Sequence, residues 1–572
     1  MQFSQLLISH TEADYSVNLP AELAHSCLKS IPYDGERARF ILAQLKLYFQ
    51  FFSAQSYHKS PPPYFEVLPV DTNNTFKYLD GQIDEGVYKT NLEFDQDLIA
   101  FFGSYRHSAV EYMPACSGAF IFRNDHPLFA VAPEKPTDDP KIHVVLDPYG
   151  IPRLGPEVET INGEAVLDYL HNLTQNLPAL KYIDPDARWN DLFFHRSNSD
   201  ARLGAFAQRF IYPEGEQIVL KYKNAHEVTI RWTAEVFKGV AELTTDGVHL
   251  PWTDKASFLQ NVCLRTTDPT TCNTEDGLYS VHKRGLYRKR DEAPTSMWGY
   301  PAPVLHTHGH ELSLYEYDHY SVLAISSFDP HPGNDQDGMA FIYDFQQILY
   351  KALQSVKERD QKLGKKRKLL IDLSHNDGGR QILAHEAARM LLPDADYYFL
   401  ANRRWSPALY DLMTEGFQAT HASVFNFRYF VDEDGKDFKD AKDVLGPLCH
   451  HGDCFTKLMQ SNHEQIMNEV LGQEYHAPKD NYWKPSDLLV VADGLCNGAC
   501  AILVEALQSQ NVKVAAYGGR PGHKMQGAGG LKGHSAASFT RIDEEIYYIL
   551  GSGAVSHNCL YLNLIILMTI GG

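Results

Sequence analysis

Apolar residues recur at three- and four-residue spacing in three early stretches, Pro20 to Ser30, Arg37 to Phe52 and Leu92 to Phe102, and that period predicts helices. The helical texture ends at Gly103-Ser-Tyr-Arg-His107. From Lys141 the pattern shortens. Ile142 to Leu146 and Val158 to Gly163 read as strands, Glu164 to Asn172 as a short helix, and Gln217 to Tyr222 and Glu227 to Trp232 as two more strands. Between about 245 and 315 no period holds, and Pro294, Pro301 and Pro303 interrupt the chain, so a linker or flap is expected there.

Beyond it the pattern is most regular. Val322 to Ile325 predicts a strand, Ile342, Phe345, Leu349, Ala352 and Val356 share one helical face, and Leu369 to Leu373 is an apolar run of strand length. Gln381 to Leu392 predicts a helix stopped by Pro393, Leu488 to Ala492 a second buried strand, Ala499 to Gln508 a helix and Val512 to Tyr517 a strand. Strand, glycine-rich turn, helix and strand in repetition describe an α/β layer with right-handed crossovers. In such layers the loops at the carboxyl ends of the strands carry the chemistry. Gly378-Gly379 and the loop from Cys496 to Cys500 fall at that position.

The 572 residues exceed what one core organises, so at least two are expected, and a 44% hydrophobic content excludes wholesale disorder. Charge narrows the partners. With 52 Lys and Arg against 72 Asp and Glu, a net charge of −20 opposes general affinity for nucleic acid or anionic membrane. The basic cluster from His282 to Arg290 reads as a solvated loop. The opening segment lacks the basic n-region of a secretory signal. Cys559 to Ile570 is almost continuously apolar but falls short of the ~20 residues that cross a bilayer, so no membrane span is expected. A read-through from an imperfect gene model is favoured for this tail over a buried last strand or an interfacial segment.

Nine cysteines include three close pairs, Cys263/Cys272, Cys449/Cys454 and Cys496/Cys500, none with CxxC spacing. Short-loop disulfides are therefore expected rather than structural zinc, and the odd count leaves a thiol over. The sequons at Asn73 and Asn172 mark candidate glycosylation sites and, with the cysteines, fit a secretory-pathway history. His306, His308, His310 and Glu311 alternate as metal ligands on a strand would, but no second ligand cluster accompanies them, and exposed loop histidines are expected. Cys449-His-His-Gly-Asp-Cys454 reads the same way. Neither metal nor other cofactor is expected.

Two consecutive glycines after a strand let backbone N–H groups approach a ligand closely, as an oxyanion hole or anion nest requires. Gly378-Gly-Arg-Gln lacks the P-loop pattern, which lowers phosphate as the ligand. The second loop has the layout of a nucleophile elbow, a strand turning tightly into a helix, where Ser or Cys is expected.

These residues carry a family resemblance. Leu370-Ile-Asp-Leu-Ser-His-Asn-Asp-Gly-Gly379 resembles the D-L-R-x-N-x-G-G signature of the tail-specific, or C-terminal-processing, serine peptidases (serine peptidase family 41), with Ser374 at the usual Arg. Asp493-Gly-Leu-Cys-Asn-Gly-Ala-Cys500, followed by Tyr517-Gly-Gly-Arg-Pro521 and Met525-Gln526, resembles the D-G-x-C-x-S-x-C, G-G-R-P and M-Q block of the fungal branch, which is similar to the chlamydial protease-like factor. The likeness spans roughly residues 20 to 550. The order of strands and helix through 142–232 is PDZ-like, with any small α+β insert as the alternative.

The resemblance implies a serine peptidase acting on peptides or extended protein segments, with a histidine as general base and the glycines of the first loop as oxyanion donors. In fungi it further implies precursor cleavage in ribosomally encoded peptide pathways. Carried over by residue, Tyr105-Arg-His107 places His107 as the base and Gly378 and Gly379 at the oxyanion position. Cys496 and Cys500 look like the family's disulfide pair. The nucleophile does not carry over, because its position is Gly498, and Lys524, near the lysine of the bacterial branch, has no serine to activate. Glu544 and Glu545 are candidates for the acidic member. A peptide-binding pseudopeptidase is therefore the alternative function. The expected architecture is an N-terminal helical region (1–135), a PDZ-like α+β module (136–245), a linker or flap (246–315), an α/β crossover catalytic core (316–556) and an apolar tail (557–572).

Overall fold

The computed structural model describes residues 7–264 and 299–532, interrupted at 12–13, 109, 136–137, 149–150, 198–199, 237–241, 245–246, 332–337, 398, 418–424 and 476–480, together with 536–537, 542 and 568–569. The chain begins with β1 (Leu7–Thr11) and β2 (Asp14–Pro20), followed by helices α1 (Ala21–Lys29), α2 (Gly35–Tyr48), α3 (Thr72–Asp84) and α4 (Asn91–Ser104). Side chains start three of these helices. Asp34 accepts from the Arg37 amide, Asp71 from the Asn74 amide, and Thr90 with Glu93 forms a capping box. The faces they turn inward meet in an aromatic cluster that includes Phe49, Phe52, Phe76, Phe101, Phe102 and Tyr105.

Eight further strands follow: β3 (Phe120–Arg123), β4 (Leu128–Val131), β5 (Lys141–Leu146), β6 (Arg153–Ile161), β7 (Gln208–Arg209), β8 (Gln217–Tyr222), β9 (Glu227–Arg231) and β10 (Thr233–Val236). They build two sheets, in the orders β1-β2-β10-β3-β7 and β9-β8-β6-β5-β4, and α5 (Val166–Asn176) lies against the second. The region expected to be helical therefore also supplies strands. On its other side from β1, β2 pairs with β10, more than 200 residues later, so no local hairpin signal announced that second pairing.

The core sheet runs β11 (Leu305–His306), β12 (Leu312–Glu316), β13 (Tyr320–Ile325), β14 (Lys368–Asp372), β15 (Leu488–Ala492) and β16 (Lys513–Ala516). From β13 onward all pairs are parallel. The crossovers pass through α6 (Gly338–Leu363), α7 (Gln381–Leu391) and α8 (Ala499–Ser509), whose apolar faces share one core with Leu323, Ile371 and Val490. Residues 305–316, expected in a linker, instead supply the edge strand β11 and its neighbour β12. The side chains of Leu312 and Leu314 are fully buried beside β13, and the intervening histidines form the turn.

Cysteine pairing differs in one case. Cys263 joins Cys116, 147 residues away, rather than Cys272, because the segment ending at Cys263 packs with Phe258 and Trp252 against Phe120. Cys449–Cys454 and Cys496–Cys500 are formed, and Cys27 is free among the described residues. Cys272, Cys559, the basic cluster and most of the apolar tail lie outside the described residues; Met568–Thr569 pairs with Ala536–Ala537. Among the described residues no helix is long and apolar enough to cross a membrane.

Beside Cys116, Ser117 donates to the buried carboxylate of Asp95 at 2.7 Å. Burial pushes the Asp95 carboxyl up to about 7, with Ser117 and Arg37 pulling the other way. A folded value above the unfolded ~3.9 means that protonation favours folding, so this contribution is complete below about pH 4 and is lost as pH rises through 7. Urea unfolding at pH 5 and pH 8 is expected to show Asp95→Asn gaining roughly 3 kcal/mol relative to wild type between the two pH values, at about 1.36 kcal/mol for each of the two units from pH 5 to the folded value of about 7. A difference independent of pH would contradict this origin.

Candidate active site

Strand β15 ends at Ala492 and the chain turns through Asp493, whose Oδ1 accepts the Leu495 amide at 3.1 Å. The turn enters α8 at Gly498, with φ 50° and ψ −119°. This left-handed geometry strains any L-residue, and glycine adopts it freely. The Gly498 amide donates to the Leu531 carbonyl and its carbonyl accepts from Ile502, each at 3.0 Å, while the Cys496–Cys500 disulfide brackets the turn. Among the described residues, and leaving out the turn's own chain neighbours, no atom lies within 4 Å of a Cβ added to Gly498. The elbow is thus built and its side-chain position is empty.

The first loop leaves β14 at Asp372 and is held by Asn376, which is fully buried. Its Nδ2 donates to Ile325 O at 2.8 Å and its Oδ1 accepts the Gly378 amide at 2.9 Å. Phe328 donates to Gly378 O, and Arg380 donates to Phe328 O. Gly378, at φ 94°, packs directly on the second loop, where a Cβ would clash with the Asn497 carbonyl and sit 3.1 Å from the Ala499 nitrogen. The structure therefore brings Gly378, Gly379, Gly498 and the Cys496–Cys500 pair together. Of the two expected oxyanion amides, that of Gly378 is engaged by Asn376, and that of Gly379 is not part of the Phe328 bridge.

Polar groups without an assigned role in the sequence reading tie the loops down. Asp493 accepts the His375 amide at 3.2 Å, its Oδ2 lies 2.5 Å from His375 Nδ1, and His195 stacks on His375 at 4.2 Å. Tyr300 and Ser374 both donate to Asp372, at 2.6 and 2.5 Å. Asn190 Nδ2 donates to Asp493 O, and its Oδ1 accepts the Gly519 amide, joining the Gly518-Gly-Arg-Pro521 loop to the elbow. Arg520 pairs with Asp186 at 2.9 Å and with Glu66 at 2.8 Å, and its hydrogen bonds hold the Glu66 carboxyl below its ordinary value. Glycines, Asp493 and Arg520 stand in the quoted motifs, and that was the signal available. His195, Asn190 and Asp186 stand in no motif.

His107 is 4% exposed, its ring 6.0 Å from His58 and 6.4 Å from Phe52. Burial, reinforced by His58, lowers it to about 3, so the imidazole is neutral. Its segment is tethered towards the first loop: Arg106 Nη1 donates to Leu180 O at 3.0 Å, and Tyr182 donates to Asp377 at 2.7 Å. Lys524 is exposed, and Glu544 and Glu545 lie outside the described residues. Asn73 and Asn172 are exposed on α3 and α5. His306 and His310 stack at 3.8 Å, and among the described residues no group of three or more His, Cys, Asp or Glu is placed to hold a metal.

Residues 121–241 match the model of the CPAF-like PDZ domain. Peptidase S41 family protein phomP1 of Diaporthe leptostromiformis is 26% identical over 525 residues, 85% of this chain and 74% of that protein. The chain is related to the peptidase S41 family. Peptidase S41 family protein ustP of Aspergillus flavus is 29% identical over 209 residues, 33% of this chain and 43% of that protein. Among solved structures, mature CPAF complexed with lactacystin is similar with a TM-score of 0.44 at 14% identity, over 88% of this chain and 86% of that one. The photosystem II D1 C-terminal processing protease gives a TM-score of 0.27 at 9% identity, over 84% of this chain and 80% of that one.

In this S41-related chain the Arg520 pair lends itself to measurement. The side chains of Arg520 and Asp186 are 5% and 4% exposed, whereas Glu66 is 46% exposed. Arg520→Ala leaves a buried carboxylate unpaired and is expected to lower stability by roughly 3–5 kcal/mol in urea denaturation, while Glu66→Gln costs about 1 kcal/mol or less. Equal losses would contradict this division of the network.

Proposed function

We propose that this chain binds peptides or extended protein segments in the cleft between its two glycine-bearing loops, as an S41-related homologue that has lost the acyl-enzyme nucleophile. The observation that carries the reading is Gly498. The elbow keeps its backbone geometry and offers no nucleophilic atom. Cys496 and Cys500 on either side are joined to each other, so neither supplies a thiolate. The proposed base is His107 and the proposed oxyanion loop Gly378-Gly379. With no hydroxyl to deprotonate, a base at this position has no acyl-transfer step to assist. The PDZ-like module offers two sheet edges, β4 and β9, for holding a chain end by strand addition.

A second reading is favoured by the names of the relatives, phomP1 and ustP, each a peptidase S41 family protein. In it the chain is a serine-type peptidase processing a precursor peptide in a fungal ribosomal-peptide pathway. That reading needs a nucleophile other than residue 498.

The two separate when wild type and Gly498→Ser are incubated with a broad peptide library and a serine-reactive phosphonate. Labelling and cleavage are expected only in the variant, where the empty space beside residue 498 receives the hydroxyl, and His107→Ala in that background is expected to abolish both. Robust cleavage by wild type would overturn the binding reading. Cleavage that survives His107→Ala would overturn the assignment of the base.

A further inference from the structure

We infer that the emptied elbow takes the C-terminal carboxylate of a bound peptide, an inference that rests on the peptide-binding reading and names the ligand group of the same cleft. An internal peptide bond presents one carbonyl oxygen to an oxyanion site. A chain end presents two oxygens and a full negative charge, and it needs room for both. Among the described residues that room exists at Gly498, because none of their atoms outside the turn itself comes within 4 Å of where a Cβ would stand. The same point is the entrance of the 11-residue helix α8, whose positive end favours an anion.

The surroundings fit a charged ligand. Gly378 rests on the Asn497 carbonyl and the Ala499 nitrogen, which places the glycine loop beside the elbow. Asn497 directly precedes Gly498 in the turn. It is 2% exposed, and among the described residues both polar atoms of its side chain lack a hydrogen-bond partner. Its amide lies against Gly530, next to Leu531, whose carbonyl holds the Gly498 amide. A buried carboxamide with neither atom satisfied is costly unless a ligand or water completes it. The acid in the loop, Asp493, already accepts the backbone amides of His375 and Leu495.

The test uses full-length wild type and Gly498→Ala with a randomised decapeptide library made in two forms, free acid and C-terminal carboxamide. Bound peptides are quantified by mass spectrometry and leading sequences by fluorescence anisotropy. Wild type is expected to bind acids at least about tenfold tighter than amides, the scale of charge-assisted hydrogen bonds. In Gly498→Ala the methyl group occupies the space, and the ratio is expected to fall below about twofold. Hydrogen exchange on wild type gives a readout independent of the variant's folding, with acid peptides alone expected to protect residues 496–503. Equal binding of acid and amide, or a preference unchanged in Gly498→Ala, overturns the inference and leaves the peptide-binding reading standing. If neither form binds, that reading falls and this one with it.

Discussion

The close approach of Gly378 to the backbone of Asn497 and Ala499 joins the two loops into one site. It is a contact between main chains, available only where no Cβ intervenes, and it fixes how far apart the carboxyl ends of β14 and β15 stand. Much of the surrounding polar structure serves that spacing. Asn376 pins the first loop to β13, Asp493 pins His375 across to the second, and Asn190 holds the Gly518-Gly519 turn against both. Substitution at Gly378 would force the loops apart before any side chain in the cleft was touched.

Against this preserved framework, Gly498 has a particular consequence. A serine at φ 50° stores strain that a catalytic elbow uses to present its oxygen, whereas glycine holds the same backbone without strain. With glycine there, the helix entrance, the disulfide and the glycine loop surround a position that carries no side chain. His107 is neutral and buried beside Phe52 and His58, at the margin of the aromatic cluster.

The parts of the fold that were legible in the sequence are those whose signal is local. Leu369 to Leu373 and Leu488 to Ala492 are continuous apolar runs because their parallel strands are covered on both faces, and the Ala499 helix announces itself by its apolar faces. What escaped depends on partners distant along the chain. Strands β11 and β12 were hidden by an alternating histidine run and by the prolines before it, although Leu312 and Leu314 carried the alternation of a strand. Cys263 has a cysteine nine residues away, and spacing alone could not show that Phe120 and Trp252 draw it to Cys116. Within the site, both glycine loops and Gly498 were readable because they sit in contiguous motifs. His195, Asn190 and Asp186 reach the site from a segment 180 to 330 residues away in sequence, with no pattern of their own.

Peptide is proposed to sit at the joined loops and not only on the PDZ-like sheet. A crystal structure of the wild-type chain with a bound library-selected peptide tests this most directly. Continuous peptide density is expected between Gly378-Gly379 and Gly498, with main-chain contacts to both loops. Peptide confined to the edge strands of the 121–241 module, with the elbow bare, would contradict it.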